Sequence, residues 1–149
     1  MNPACRQLLL QVDGTPGMPP QGLAGVGVVV REPSGAVKTW HGAVLPARTC
    51  NEAEYQAVIC GLRLVLQRYP LAQVRCLSDS QIVIEQLSGR SAVRASALQP
   101  LHAQATMLMH RLVQVEFVFI PRELNRLADA LAWEALGGRQ QLVYFGSAR

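Results

Sequence analysis

Four acidic residues occupy positions where an acid needs a reason. Asp13 closes the apolar run Leu8 to Val12, and Glu54 heads a helical stripe continued by Val58, Gly61 and Val65. Asp79 falls between a short apolar run ending at Leu77 and a helical segment opening at Gln81, and Asp129 lies among Ala128, Ala130 and Leu131. A carboxylate against apolar surroundings is costly unless something pairs with it. Each acid also has a plain structural reading. Asp13-Gly14 is a common turn dipeptide, Asp79 competes with Ser78 and Ser80 as a helix cap, and Asp129 suits a solvated helix face beside Arg122 or Arg126. Glu54 is the hardest to explain this way, because Thr49-Cys50-Asn51-Glu52 already has capping-box spacing; Asn51 with Glu54 is a weaker competing cap. Taken together, four carboxylates on separate elements are the hard oxygen donors that hold Mg²⁺ or Mn²⁺. Two such ions held ~3.5–4 Å apart can activate a water and stabilise the leaving oxygen of a phosphodiester, with no nucleophilic side chain required.

The elements that must position these acids follow from apolar periodicity and turn residues. Leu8 to Val12 is a strand ending at Asp13-Gly14, and Thr15 to Gly22, with three prolines, is a loop. Leu23 to Val30 and Ala36 to Leu45 are strands joined by a Pro33-Ser34-Gly35 turn, which gives an antiparallel meander. A helix runs from Thr49 or Asn51 to about Tyr69, where Pro70 ends it. Val74 to Leu77 is a strand, Gln81 to Leu87 a short helix, and Leu98, Leu101, Ala105, Leu108 and Leu112 trace an amphipathic helix. Val113 to Ile120 is the last strand, Asn125 to Leu136 the last helix, and residues 137–149 form a loosely held tail. The order β-β-β-α-β-α-α-β-α describes a mixed α/β domain, a five-stranded sheet flanked by helices, with the acids near one rim.

Composition narrows the alternatives. The 149 residues suit a single domain, spanning 1–149. Half are apolar and 16% charged, with a mean hydropathy of +0.16, which excludes a disordered chain. No apolar run is long enough to span a bilayer and no signal peptide is expected, so a cytoplasmic location without a membrane partner is the expectation. Cysteines 5, 50, 60 and 76 show neither zinc-site spacing nor disulfide-scaffold density. The net charge of +4 comes from thirteen arginines and one lysine against ten acids. If four acids share one site, the remaining surface carries six acids against fourteen basic groups, and so suits a polyanion. The arginine excess also has a reading in genomic base composition.

At these residues the sequence resembles the type 1 ribonuclease H family. The resemblance rests on Val12-Asp13-Gly14-Thr15, on Thr49-Cys50-Asn51-Glu52-Ala53-Glu54-Tyr55, on Leu77-Ser78-Asp79-Ser80-Gln81, and on the run from Pro121 to Ala132 that includes Asn125 and Asp129. It spans residues 7 to 136 or so, and the four motifs occur in order on the expected elements. It implies a ribonuclease H-like fold and a two-metal site of Asp13, Glu54, Asp79 and Asp129, with Mg²⁺ as cofactor and Mn²⁺ as a possible substitute. It further implies endonucleolytic cleavage of the RNA strand of an RNA–DNA hybrid to 3′-hydroxyl and 5′-phosphate ends. Gly14, Thr15, Thr49, Asn51, Gln81 and Asn125 are the substrate-binding residues by the same resemblance, and Arg122 joins them as a candidate phosphate contact on its own chemistry. No obligate protein partner is evident, and a monomer is expected. A wide, shallow minor groove lined with 2′-hydroxyls can be told from DNA by Asn, Gln and Thr side chains without reading sequence.

The chain also departs from the family. The loop after Asp13 reads Pro16-Gly17-Met18-Pro19-Pro20 in place of Gly-Asn-Pro-Gly, and Cys50 stands where an asparagine is common. Only Arg90 and Arg94 occupy the segment before the amphipathic helix, so no basic protruding handle is expected. The loop Pro121-Arg122-Glu123-Leu124 lacks the histidine that many members place there, leaving Arg122 as either a phosphate contact or a helix-start residue. Trp40, Trp133, Met107 and Met109 read as packing residues, and Cys50 as an inert neighbour of Glu54. Two other functions use the same residues: a catalytically silent nucleic-acid-binding domain, and a DNA-directed nuclease on this scaffold.

Overall fold

The computed structural model describes residues 6–18, 21–137 and 144–147. Strand β1 (Gln7–Pro16) pairs antiparallel with β2 (Leu23–Arg31), which pairs with β3 (Val37–Pro46). Helix α1 (Cys50–Arg68) then crosses to β4 (Gln73–Ser78), followed by α2 (Gln81–Leu87), α3 (Gln99–Arg111) and β5 (Gln114–Phe119). A single 3₁₀ turn, Arg122–Leu124, precedes α4 (Arg126–Gly137), and β6 (Tyr144–Ser147) closes the described chain. The sheet order is β5-β4-β1-β2-β3-β6, with β4 parallel to both β1 and β5.

The sequence order of elements is as expected through α4, with two corrections in the strands. Residues 144–147, read as part of a loose tail, pair antiparallel with β3, so the expected five-stranded sheet carries a sixth strand at its edge. Asp13-Gly14 does not turn the chain. It lies inside β1, with Asp13 opposite Gly27 and Thr15 opposite Gly25, because continued pairing with the Val-rich β2 outweighs the turn preference of the dipeptide. The 3₁₀ turn before α4 left no signal in the apolar pattern.

Strand alternation divides the side chains between two layers. Leu8, Leu10 and Val12 of β1 join Val26, Val28 and Val30 of β2 in the main core under α1, where Tyr55, Val58, Ile59 and Leu62 are buried. On the opposite face Val29 packs with Ala128 and Leu131 of α4, and half-buried Trp40 closes against them. Gly25 and Gly27 explain why α4 can lie so close: a Cβ on either would run into the backbone carbonyl of Ala132 or Ala128. Trp133 and Met107 are not packing residues as expected; they are 57% and 61% exposed on the outer faces of α4 and α3. At helical spacing both fall opposite the buried stripes, which are Ala128, Leu131, Ala132 and Ala135 on α4 and Ala105 and Leu108 on α3; the packing expectation followed their apolar type and not their position. The described cysteines, Cys50, Cys60 and Cys76, are free thiols. Among the described residues no helix is long and apolar enough to cross a membrane.

Candidate metal and nucleic-acid site

β1 and β4 pair in parallel only as far as Gln11 opposite Leu77. Beyond that point β1 continues along β2 while β4 ends, and the two strands part. Such a parting at the carboxyl end of parallel strands leaves a crevice where side chains from several elements converge. Asp13 stands on β1 just past the last pair, and Asp79 directly follows β4.

Glu54 arrives from the first turns of α1. The side chain of Thr49 caps this helix by accepting from the Glu52 N–H at 3.1 Å, and the Thr49 hydroxyl also meets Glu52 Oε2 at 3.1 Å. Glu52 is therefore the partner of the Thr49 cap, through its backbone N–H and its carboxylate, and Glu54 is released for other work. Its Oε1 accepts the Gly14 N–H at 2.6 Å, and the buried Ser78 hydroxyl donates toward its Oε2 at 3.5 Å. Gly14 permits this contact because a Cβ there would collide with the carbonyl of Ala53.

Asp13, Glu54 and Asp79 present carboxylate oxygens that all lie within 4.8 Å of one another. Asp129, one helical turn into α4, stands outside that trio but within hydrogen-bonding reach of Asp13. Asp13 is 6% exposed and Glu54 8%. Burial, followed by the charges of Glu54 and Asp79, drives the Asp13 carboxyl far above the ordinary carboxylate range. Burial likewise pushes Glu54 up to about 7, against the lowering pull of the Gly14 N–H and with a further raising push from Asp79. Two buried carboxyls raised in this way, Asp13 and Glu54, mark a cluster short of positive charge. Three or four hard oxygens at this spacing fit a divalent cation, which would neutralise the repulsion and release the shared protons.

The remaining sequence candidates take up different places. Gly14 and Thr15 lie in β1 beside the acids, and Asn51 sits half-buried in the first turn of α1. Gln81 is exposed at the start of α2, with its amide donating to Glu85 at 3.2 Å. Arg122 is exposed in the 3₁₀ turn. Asn125 is placed otherwise than a substrate contact requires. It is 1% exposed, and its Nδ2 donates to the Val12 carbonyl at 2.8 Å, so it grips the strand that carries Asp13. Its burial follows from standing between the 3₁₀ turn and α4, against β1. Ser78 and Gln11 were missed from sequence. Ser78 read as one of three rival caps, yet the α2 cap position is Ser80, without a side-chain cap bond, and Ser78 accepts the Ser80 N–H while facing Glu54.

Residues 11–135 match the family described as Reverse transcriptase-like. Bifunctional protein Rv2228c of Mycobacterium tuberculosis is 31% identical over 137 residues, which cover 91% of this chain and 37% of that protein. The chain thus spans little more than a third of that curated relative. The solved N-terminal RNase H domain of Rv2228c superposes with a TM-score of 0.80 at 30% identity, covering 89% of this chain and 94% of the domain structure. RNase H1 of the halophilic archaeon Halobacterium salinarum has a TM-score of 0.80 at 29% identity, with coverage of 88% and 98%. LC11-RNase H1, solved in complex with an RNA/DNA hybrid, gives 0.80 at 28%, with coverage of 87% and 96%.

Proposed function

The chain belongs to the Reverse transcriptase-like family, with a ribonuclease H fold of the type 1 kind, and on that premise we propose that it hydrolyses the RNA strand of RNA–DNA hybrids. The observation that carries this reading is the meeting of Asp13, Glu54 and Asp79 within 4.8 Å, with Asp129 against Asp13. The likeness to LC11-RNase H1, which was solved with a hybrid, supports the substrate.

In the proposed reaction Asp13, Glu54, Asp79 and Asp129 would hold two divalent ions, Mg²⁺ or Mn²⁺. Those ions, when bound, supply the Lewis acidity that activates water and steadies the departing 3′-oxygen. Water adds to phosphorus, the bond to the 3′-oxygen breaks, and the products are a 3′-hydroxyl and a 5′-phosphate. Gly14 N–H and Ser78 fix both oxygens of Glu54, so this carboxylate keeps its aim when a duplex arrives. Asn51, Gln81 and the backbone around Thr15 face the minor groove, where the 2′-hydroxyls distinguish the RNA strand. Thr49 holds the start of α1 in place through its cap. Arg122 and other arginines bind phosphates and set register without reading bases. Action as a monomer in the cytoplasm completes the proposal.

The test is cleavage of an end-labelled RNA strand presented free, paired with RNA and paired with DNA, in Mg²⁺, in Mn²⁺ and in chelator. Metal-dependent cutting confined to the hybrid, and lost in Asp79→Asn, is the expected result. Hybrid binding without cutting would move the chain to a silent binding role, and cutting of duplex DNA to a different nuclease activity.

A further inference from the structure

β1 and the turn before α4 are joined by a reciprocal pair of hydrogen bonds. Gln11 Nε2 donates to the Leu124 carbonyl at 2.8 Å, and Asn125 Nδ2 donates to the Val12 carbonyl at 2.8 Å. Each side chain thus grips the main chain beside the other. Both lie next to acids of the site: Asp13 follows Val12 directly, and Asp129 donates its N–H to the Asn125 carbonyl at 3.1 Å, in the first turn of α4. The same two segments bring the Asp13 and Asp129 carboxyls into contact.

Gln11 is an unusual residue for its place. It points to the α4 face of β1, alternating with Leu10 and Val12, and is 8% exposed. A buried amide is tolerated where both ends are bonded, and here they are. Its Oε1 accepts the Arg31 Nε–H at 2.6 Å, and Arg31 is itself held by donating to the Gly35 carbonyl at 2.8 Å. With Oε1 turned to a guanidinium that can only donate, the NH₂ end must face the Leu124 carbonyl, which can only accept. Arg31 therefore fixes the orientation that lets Gln11 hold the turn.

We propose that Gln11, oriented by Arg31, is a positioning residue of the site: it clasps the Leu124 carbonyl and so sets Asp129 against Asp13. The inference rests on the hybrid-cleavage reading for its effect on rate, and on geometry alone for its effect on Asp129. Asp13, Glu54 and Asp79 are assembled by β1, α1 and β4 without the clasp. Asp129 depends on how the turn before α4 sits on β1, so Gln11 acts on that acid selectively. Loss of a group that orients a metal ligand costs about 10- to 100-fold in metal affinity or rate.

The experiment compares the wild-type chain with Gln11→Leu, Arg31→Ala, Asp129→Asn and the double variant Gln11→Leu/Asp129→Asn. Tyr69→Phe serves as a stability control, because it deletes a hydrogen bond to Thr39 near the far end of α1. Amide hydrogen exchange in chelator reports the Asp129 N–H directly, and multiple-turnover cleavage in Mg²⁺ separates kcat from KM. Gln11→Leu is expected to speed exchange at Asp129 about tenfold beyond any global change, and to lower kcat about tenfold with KM within about twofold. Arg31→Ala should act in the same direction and less. Tyr69→Phe should leave Asp129 exchange unchanged relative to its global stability. Gln11→Leu should cost little further rate once Asp129 is already Asn, because both changes act through one group.

Exchange at Asp129 that follows only global stability overturns the proposal. So do losses that multiply in the double variant. Should the wild-type chain fail to cut the hybrid, the hybrid-cleavage reading falls, and the exchange arm alone then decides for or against the clasp.

Discussion

Asp13 and Glu54 are buried acids held next to further acids, and that arrangement links protonation to folding. Both carboxyls are raised by burial above their ordinary values of 3.8 and 4.5, so across the window from about pH 4 upward the folded chain binds more protons than the unfolded one. Stability in chelator must therefore fall as pH rises through that window. Asp13→Asn removes the most strongly affected group. It is expected to flatten the slope and to be more stable than wild type at pH 8 by at least about 1 kcal/mol, since one pKa unit corresponds to about 1.4 kcal/mol. Thermal unfolding in chelator at pH 5.5 and pH 8 checks this, and equal slopes for the two proteins would contradict the assignment. Added Mg²⁺ or Mn²⁺ should raise the wild-type midpoint at pH 8 and leave Asp13→Asn nearly unmoved. Cleavage should fall more than about a hundredfold in both Asp13→Asn and Asp79→Asn.

Secondary-structure elements carry the acids to their places by close approach, and glycine is what allows it. Gly27 lies opposite Asp13 on β2 and beneath Ala128 of α4. Gly27→Ala pushes a methyl group into a backbone carbonyl that cannot rotate away, so α4 must shift. The expected cost is about 1–3 kcal/mol of stability by overpacking. Because α4 carries Asp129, cleavage measured well below the unfolding midpoint should fall as well. Denaturant unfolding together with cleavage kinetics tests both parts; a variant with wild-type stability would show that α4 is not seated as described. The cap of α1 makes a milder case. Thr49→Ala should cost about 1 kcal/mol, the usual worth of a threonine cap, read from the same unfolding curves.

At the scale of the molecule, the chain gathers four of its ten acids at one end of the sheet and distributes thirteen arginines over the sequence. A hybrid bound through such a surface displaces counterions, and each phosphate neutralised contributes about −0.9 to the slope of log affinity against log salt. Binding of a hybrid to the non-cleaving Asp79→Asn chain, titrated from low to physiological salt, should give a slope steeper than about −3 and little dependence on base sequence. A flat response would remove arginine–phosphate contact from the account.

How much of this was legible in sequence differs from residue to residue. The apolar periods determine the meander, the helix from Cys50, the following strand and helices, and the order in which they come, because burial of a stripe or a face is written in residue type. The cap spacing of Thr49 and Glu52 is equally local, and it singled out Glu54 by elimination. Other features depend on neighbours distant in the chain. Asp13-Gly14 carries a turn signal, yet it continues a strand because β2 runs alongside it. Asn125 and Gln11 are polar residues of no periodic meaning until β1 and the turn before α4 meet, 113 residues apart in each hydrogen bond. The sequence by itself determined which acids exist and which elements bear them. Tertiary structure alone decided that three of them meet within 4.8 Å and that the fourth reaches Asp13, since those distances are set by the parting of β1 from β4 and by two glycines that let α4 approach.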